Sequence, residues 1–248
     1  MGNVGRWESR GPLDSGPMLE PDPRPPGRTS PAFDPVPVTL TGRLVRLEPL
    51  TRDHVPALTE IALDPDTWRW TRNVVTDATA FHAYLDHAFE AAAAGSEISF
   101  VQVDLETGRP IGMTRFHSIE RAHRRLEIGF TWLAAPWRGT GHNADAKLSL
   151  MTHAFDDLGA HRVEFKTDGL NLRSQAALAA IGATREGTLR RHVVTGSGRV
   201  RDSVYFSVIW EEWPEVRERL AARVDALVAR RRAPTAPDDL PSSRGASA

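Results

Sequence analysis

Trp137-Arg138-Gly139-Thr140-Gly141-His142-Asn143-Ala144 is the stretch on which the fold turns. It follows an apolar run, Leu126 to Leu133, that ends at Ala134-Ala135-Pro136. It precedes a segment with helical apolar spacing: Leu148, Met151, Phe155, Leu158. Strand, glycine turn and helix in that order build an anion site. Glycines carry no Cβ, so the backbone can come close to a ligand. The first helical turn offers unpaired N–H groups and the positive end of the dipole. Arg138 adds a fork of donors. The stretch therefore reads as a seat for a phosphate-bearing ligand, held mostly by backbone. The alternative is a tight turn with no ligand. No Gly-Lys-Ser or Gly-Lys-Thr follows, which excludes a Walker loop. Asp145 stands where a dinucleotide fingerprint needs a third glycine, and Ala144 is one place early.

The chain has 248 residues, a net charge of −1 and no cysteine. That length suits one domain with tails, and the 40% of apolar residues suffice for a core. The near-zero charge gives no footprint for nucleic acid. Without cysteine there are no disulfides, thiolate nucleophiles or Cys-based zinc sites, which suits a reducing, cytoplasmic setting. No apolar run is long enough to cross a membrane, and the N-terminus does not read as a secretory signal.

Residues 1–37 hold nine of the 18 prolines and few residues that pack. They read as a disordered or loosely docked tail, with Trp7, Leu13, Met18, Leu19 and Phe33 as docking points. The domain is expected over 38–213. Leu40 to Glu48 alternates as one strand. Thr51 caps a helix to Ala62, which Asp64-Pro65-Asp66 breaks. Thr76 or Asp77 starts a second helix that Gly95 stops. Ile98 to Leu105 and Pro110 to Ser118 form a hairpin, and Leu126 to Leu133 adds a strand before the glycine stretch. After its helix come a strand from Arg162 to Thr167, a short helix opened by Asn171, and a hairpin about Gly196-Ser197-Gly198. Residues 214–232 form an amphipathic helix, its stripe of Val216, Leu220, Val224 and Leu227 covering the domain or pairing two chains as a homodimer. Residues 233–248 are a polar tail. The expected class is mixed α/β, a mostly antiparallel central sheet flanked by helices.

This order, with Arg138-x-x-Gly141 at a strand exit, resembles the GNAT acyltransferase superfamily. Leu126-Glu127-Ile128-Gly129-Phe130-Thr131-Trp132-Leu133, Ala135 to Gly141, His153-Ala154-Phe155, Asn171-Leu172-Arg173-Ser174 and Arg185 to Arg190 resemble its RimJ/RimL-type branch. The likeness spans roughly Leu40 to Trp213. It implies acetyl-CoA as cofactor and an N-acyltransferase that acts on a primary amine of a protein or small molecule by direct attack. In the family pattern the place of Asn143 holds a smaller residue. The resemblance implies cofactor contacts from Thr131, Trp132, Leu133, Arg138, Gly139, Thr140, Gly141, His142, Asn143, Asn171 and Ser174.

Acyl transfer to an amine needs a proton acceptor, donors for the developing oxyanion and a proton for the leaving thiolate. Glu127 lies in an apolar strand and by the two-residue period points opposite to Leu126, Ile128 and Phe130. Apolar surroundings would raise its pKa and suit a general base, and the resemblance supports that role. The alternative is a solvent-facing carboxylate paired with Arg125. For the leaving group the resemblance points to Ser174, since Leu178 stands where many relatives carry a tyrosine. Asn171 and Ser174 share a helix face, and capping alone also accounts for them. Backbone N–H groups at Thr131 to Leu133 would meet the oxyanion, with Trp132 as wall. Trp68, Trp70, Arg72, Arg115 and His117 are candidates for the acceptor pocket. No histidine pair has a metal spacing. The competing readings are a non-catalytic acyl-CoA-binding module and an unrelated nucleotide-binding α/β protein.

Overall fold

The computed structural model describes residues 32–232. Its elements in chain order are β1 (Leu40–Thr41), β2 (Val45–Pro49), α1 (Val55–Ala62), α2 (Pro65–Trp68), α3 (Ala78–Ala93), β3 (Ile98–Asp104), β4 (Pro110–Glu120) and β5 (Arg125–Leu133), then α4 (His142–Thr152), β6 (Arg162–Asp168), α5 (Leu172–Ala180), β7 (Thr184–Val194), β8 (Val200–Ile209) and α6 (Trp213–Arg232). The strands make one sheet in the order β1-β2-β3-β4-β5-β6-β8-β7. Every neighbouring pair is antiparallel except β5 and β6. This is the expected mixed α/β class. Among the described residues no helix is long and apolar enough to cross a membrane.

Two apolar layers sandwich the sheet. On one face α4, α5 and α6 bury Leu150, Phe155, Leu178, Val216, Leu220 and Val224 against Leu126, Ile128 and Phe165. On the other, α1 and α3 bury Leu58, Phe81 and Leu85 against Val101, Met113 and Trp132. Each fully buried side chain of this size contributes about 1.5–3 kcal/mol. The stripe of α6 thus covers the domain itself. Past Thr152, α4 continues as a π-helical turn, His153–Asp157, that sets Phe155 on the Trp213 ring at 5.1 Å.

The structure corrects one local expectation and sharpens two others. Leu40 to Glu48 is a hairpin of β1 and β2, with Leu40 opposite Leu47. The turn is held by one carboxylate: Oδ2 of buried Asp145 accepts the N–H groups of Arg43, Leu44 and Val45 at 2.8, 2.7 and 3.1 Å. Gly42 permits this approach, since a Cβ there would stand 2.3 Å from that oxygen. Asp64-Pro65-Asp66 follows the end of α1 at Ala62, as expected, and also opens a further helix. Asp64 caps the short α2 by accepting from Asp66 N–H at 3.0 Å, with Pro65 at its first position. At the end of the N-terminal stretch Phe33, one of the expected docking points, is buried in the core, and Asp34 pairs with Arg121 at 3.0 Å. The docking points Trp7, Leu13, Met18 and Leu19, and the tail 233–248, lie outside the described residues.

Candidate active site

The parallel strands β5 and β6 pair only from Arg125↔Arg162 to Glu127↔Glu164, although β5 runs on to Leu133 and β6 to Asp168. Beyond Glu127 they part, and a cavity of about 420 Å³ fills the wedge. A bulge shapes its β5 wall. Met113 faces Trp132 and Arg115 faces Gly129, so Thr114 stands opposite both Phe130 and Thr131. Phe130 takes the left-handed conformation, φ 50°, which is costly for a residue with a bulky side chain. The bulge also breaks the two-residue period. Phe130 lies on the face of Glu127, its ring 5.0 Å from that of His117, and not opposite to it as alternation predicts.

The glycine stretch forms one end of the cavity. Gly141, at φ 100°, is the N-cap of α4, and a Cβ there would stand 3.2 Å from Leu227 of α6. Gly139, at φ 79°, borders open space. Both glycines, Asn143 and Lys147 line the cavity. Arg138 lines it too, but its guanidinium is engaged: Nε donates to the Leu133 carbonyl at 3.0 Å, and Nη2 to Asp64 at 2.8 Å and Thr67 at 2.6 Å. Arg138 therefore braces the loop against α2. Thr140 and His142 do not open into the cavity. The Thr140 hydroxyl donates to the Trp137 carbonyl at 2.7 Å, and wholly buried His142 meets Asp104 at 2.9 Å. Burial lowers the His142 pKa despite that carboxylate.

Residues fit for a phosphate-bearing, apolar-armed ligand are present. Asn143 Oδ1 is buried without a hydrogen-bond partner. Lys147, Arg173 and Arg223 line the cavity and make no ion pair among the described residues. Burial lowers the Lys147 pKa to about 8. Asn171, whose Oδ1 accepts from Ser174 N–H at 3.1 Å, and Ser174 itself lie at the opening of α5 on the same cavity, with Leu178 beside them. Capping and an open hydroxyl coexist there. Thr131, Trp132 and Leu133 form the β5 wall.

Glu127 is 3% exposed and opens into the cavity. Its carboxylate meets His117 Nε2 at 3.2 Å and Lys166 Nζ at 3.1 Å. Gly129 leaves room for that imidazole, since a Cβ there would stand 2.3 Å from Nε2. Burial pushes the Glu127 pKa up, but His117 and Lys166 outweigh it and hold the pKa below the usual carboxylate value. This overturns the raised pKa expected from apolar neighbours. Arg125 is not its partner and pairs with Glu164 at 3.1 Å. Trp68, Trp70, Arg72 and His117 line the same end of the cavity, but Arg115 does not. Arg115 is wholly buried, paired with Glu97 at 2.9 Å and set over the Tyr84 and Phe130 rings. Sequence reading passed over Lys147, Lys166 and Arg201, which also line the cavity. Alternation in β6 gave one signal, since it puts Lys166 on the face of Glu164, across from Glu127. Among the described residues no cluster of three metal-ligating side chains occurs.

The acetyltransferase (GNAT) domain family matches residues 44–184. The chain is 33% identical over 109 residues to the "Putative ribosomal N-acetyltransferase YdaF" of Bacillus subtilis, a match covering 44% of this chain and 58% of that protein. The chain thus spans 58% of the length of the curated relatives it matches. Among solved structures it resembles a GCN5-related N-acetyltransferase from Brucella melitensis, with 27% identity, TM-score 0.71, and 77% of this chain and 87% of that one covered. It also resembles Mycobacterium smegmatis RimJ in complex with CoA-disulfide, with 25% identity, TM-score 0.64, and 75% and 95% covered.

Proposed function

The chain belongs to the GNAT acetyltransferase family, and on that premise we propose that it moves an acetyl group from acetyl-CoA to a primary amine of a protein or small molecule by direct attack. The observation that carries this reading is the wedge between β5 and β6, which puts the glycine loop and Glu127 on one cavity. Gly139, Gly141, Asn143, Lys147, Arg173 and Arg223 would hold the phosphates and the arm. Acetyl-CoA supplies a thioester activated toward amines.

The chain's own groups do the rest. Glu127 is ionised at neutral pH, so its Oε1 or Oε2 is open to a proton leaving the incoming ammonium, directly or through water. His117 and Lys166 fix its orientation. The backbone at the Phe130–Thr131 bulge, turned from the ladder by its register shift, offers N–H donors to charge on the acyl oxygen. Ser174 Oγ, at the opening of α5 on the same cavity, would supply a proton to the leaving thiolate. Trp132 and Trp68, 5.7 Å apart, wall off water. The protein similar to this chain from Bacillus subtilis carries a ribosomal name, which favours a protein amino group among the acceptors.

The test is thiol release from acetyl-CoA across a panel of amines, including peptides with free N-termini. Amine-dependent release is expected. Tight CoA binding with no release for any amine would overturn transfer in favour of a non-catalytic acyl-CoA-binding module.

A further inference from the structure

We propose that the acceptor carries a carboxylate near its reactive amine, and that Arg201 on β8, with Arg72 at the rim, receives that carboxylate. This deepens the acetyl-transfer reading and rests on it. Arg201 is 5% exposed and lines the same cavity as Glu127. Its Nε is buried without a hydrogen-bond partner. Among the described residues the one carboxylate oxygen in ion-pair reach is Asp168 Oδ2, 3.8 Å from that nitrogen. Asp168 is already committed: Arg199 pairs with Oδ2, and the Leu170 N–H donates to Oδ1 at 2.9 Å.

A guanidinium buried with so little compensation is expensive. A ligand carboxylate would offset that cost. Burial, and after it the charges of Arg72 and Arg199, disfavour the cation, while Asp168 and Glu127 favour it. Arg72 lines the cavity, lies over the Phe130 ring at 5.4 Å and makes no ion pair among the described residues. The fold brings the two arginines together. The Arg72 carbonyl accepts the Gly196 N–H at 2.9 Å, so the tip of the β7–β8 hairpin docks on the loop that carries Arg72. Arg72, Lys166 and Arg201 thus line the cavity with Glu127 and Asp168, Asp66 lies at the α2 side, and Arg199 pairs with Asp168 from outside the lining. Glu127 is engaged by His117 and Lys166, and Asp168 by Arg199, which leaves Arg201 short of an anion.

A planar carboxylate suits the guanidinium fork, which takes two parallel hydrogen bonds. The amine must reach Glu127 while the carboxylate reaches Arg201. Both groups therefore belong to one short unit. Two sources share that chemistry: a free amino acid, and a peptide N-terminus whose first residues include Asp or Glu.

The test compares matched pairs by thiol release: L-alanine against L-alaninamide, and Ser-Asp-Gly-Gly against Ser-Asn-Gly-Gly, both as C-terminal amides. In one arm the carboxylate member is expected to lead in kcat/KM by about tenfold or more, as a charge-assisted pair would give. The arm that shows it names the source. Arg201→Gln brings the ratio near one, whereas Arg201→Lys keeps part of it, and unchanged CoA binding certifies the fold of each variant. Equal rates within both pairs, or a preference that survives Arg201→Gln, overturns the proposal. Should no amine be acetylated, the same pairs titrated into the CoA-bound protein decide. Carboxylate-selective binding lost in Arg201→Gln upholds the anion site while the transfer reading falls. Unselective binding, or none, overturns the anion site too.

Discussion

The two ends of the cavity are built by different means. The end proposed for the acyl donor leans on backbone: a glycine loop, the first turn of α4 and the bulge of β5 are placed by φ and ψ, with Lys147, Arg173 and Arg223 lining the cavity beside them. The acceptor end is side chains: Glu127, His117, Lys166 and Arg201 come from β5, β4, β6 and β8 and depend on one another's charge. Backbone sites tolerate changes of side chain and fail when the path of the chain changes. Side-chain sites fail one group at a time.

Glu127→Gln should separate the ends most sharply. The kcat/KM is expected to fall by about 10²–10⁴, the usual share of a positioned base, while the Kd for acetyl-CoA stays within about twofold. Equal loss of both would break the distinction. Gly141→Val attacks the other end. The left-handed φ costs about 1–2 kcal/mol for a residue with a Cβ, and the new atoms meet Leu44 and Leu227. Calorimetry should show acetyl-CoA affinity reduced by about tenfold, the equivalent of about 1.4 kcal/mol, along with a lower Tm. Intact binding would mean that the loop is not the phosphate seat.

Two pH effects refine the picture. Burial lowers the Lys147 pKa to about 8, and an anion bound beside it would raise that value. Acetyl-CoA binding near pH 8 should take up protons, visible as a dependence of binding enthalpy on buffer ionisation. Affinity should weaken as pH rises through 8, and Lys147→Met should remove both effects. For the free protein the sign runs the other way. Between about 8 and 10.5 the unfolded chain holds this proton and the folded chain does not, so this group adds stability as pH rises. Glu127 acts at the acid end. Its folded pKa lies below the ordinary 4.5, so its contribution is complete above that pH and is lost as pH falls through the lower folded value. Urea titrations should find a shallower acid limb in Glu127→Gln. The smallest effect is expected from Asn143→Ala, which moves the residue toward the family's smaller type. The Kd should change by no more than about fivefold, as one hydrogen bond is worth about 1 kcal/mol.

Legibility divided along the same line. The glycine loop could be read because glycine spacing, a strand exit and helical periodicity are local patterns: Gly139, Gly141 and Asn171 line the cavity, whereas Arg138 is engaged by Asp64 and Thr67, and Thr140 and His142 do not open into it. At the other end Glu127, Trp68, Trp70, Arg72 and His117 line the cavity as expected, but their pairings could not be read, because the partners are far apart in sequence. Lys166 and Glu127 are 39 residues apart, and no local rule puts an ammonium beside that carboxylate. The raised pKa expected for Glu127 failed for that reason. Phe130 defeated alternation because a bulge depends on the register of the neighbouring strand. Arg115 looked like a pocket residue until its burial between Tyr84 and Phe130 was seen. The hairpin of β1 and β2 was missed because Asp145, which holds its turn, comes about a hundred residues later.

That separation has a consequence for how the chain is made. Residues 43–45 leave the ribosome long before Asp145, and until that carboxylate arrives their three amides have only water to bind. The first hairpin and the ligand loop must therefore lock in one late event, since Asp145 lies in the first turn of the helix that Gly141 begins. A nascent chain halted before residue 145 should leave residues 40–47 open to protease, and one released beyond the sheet should protect them.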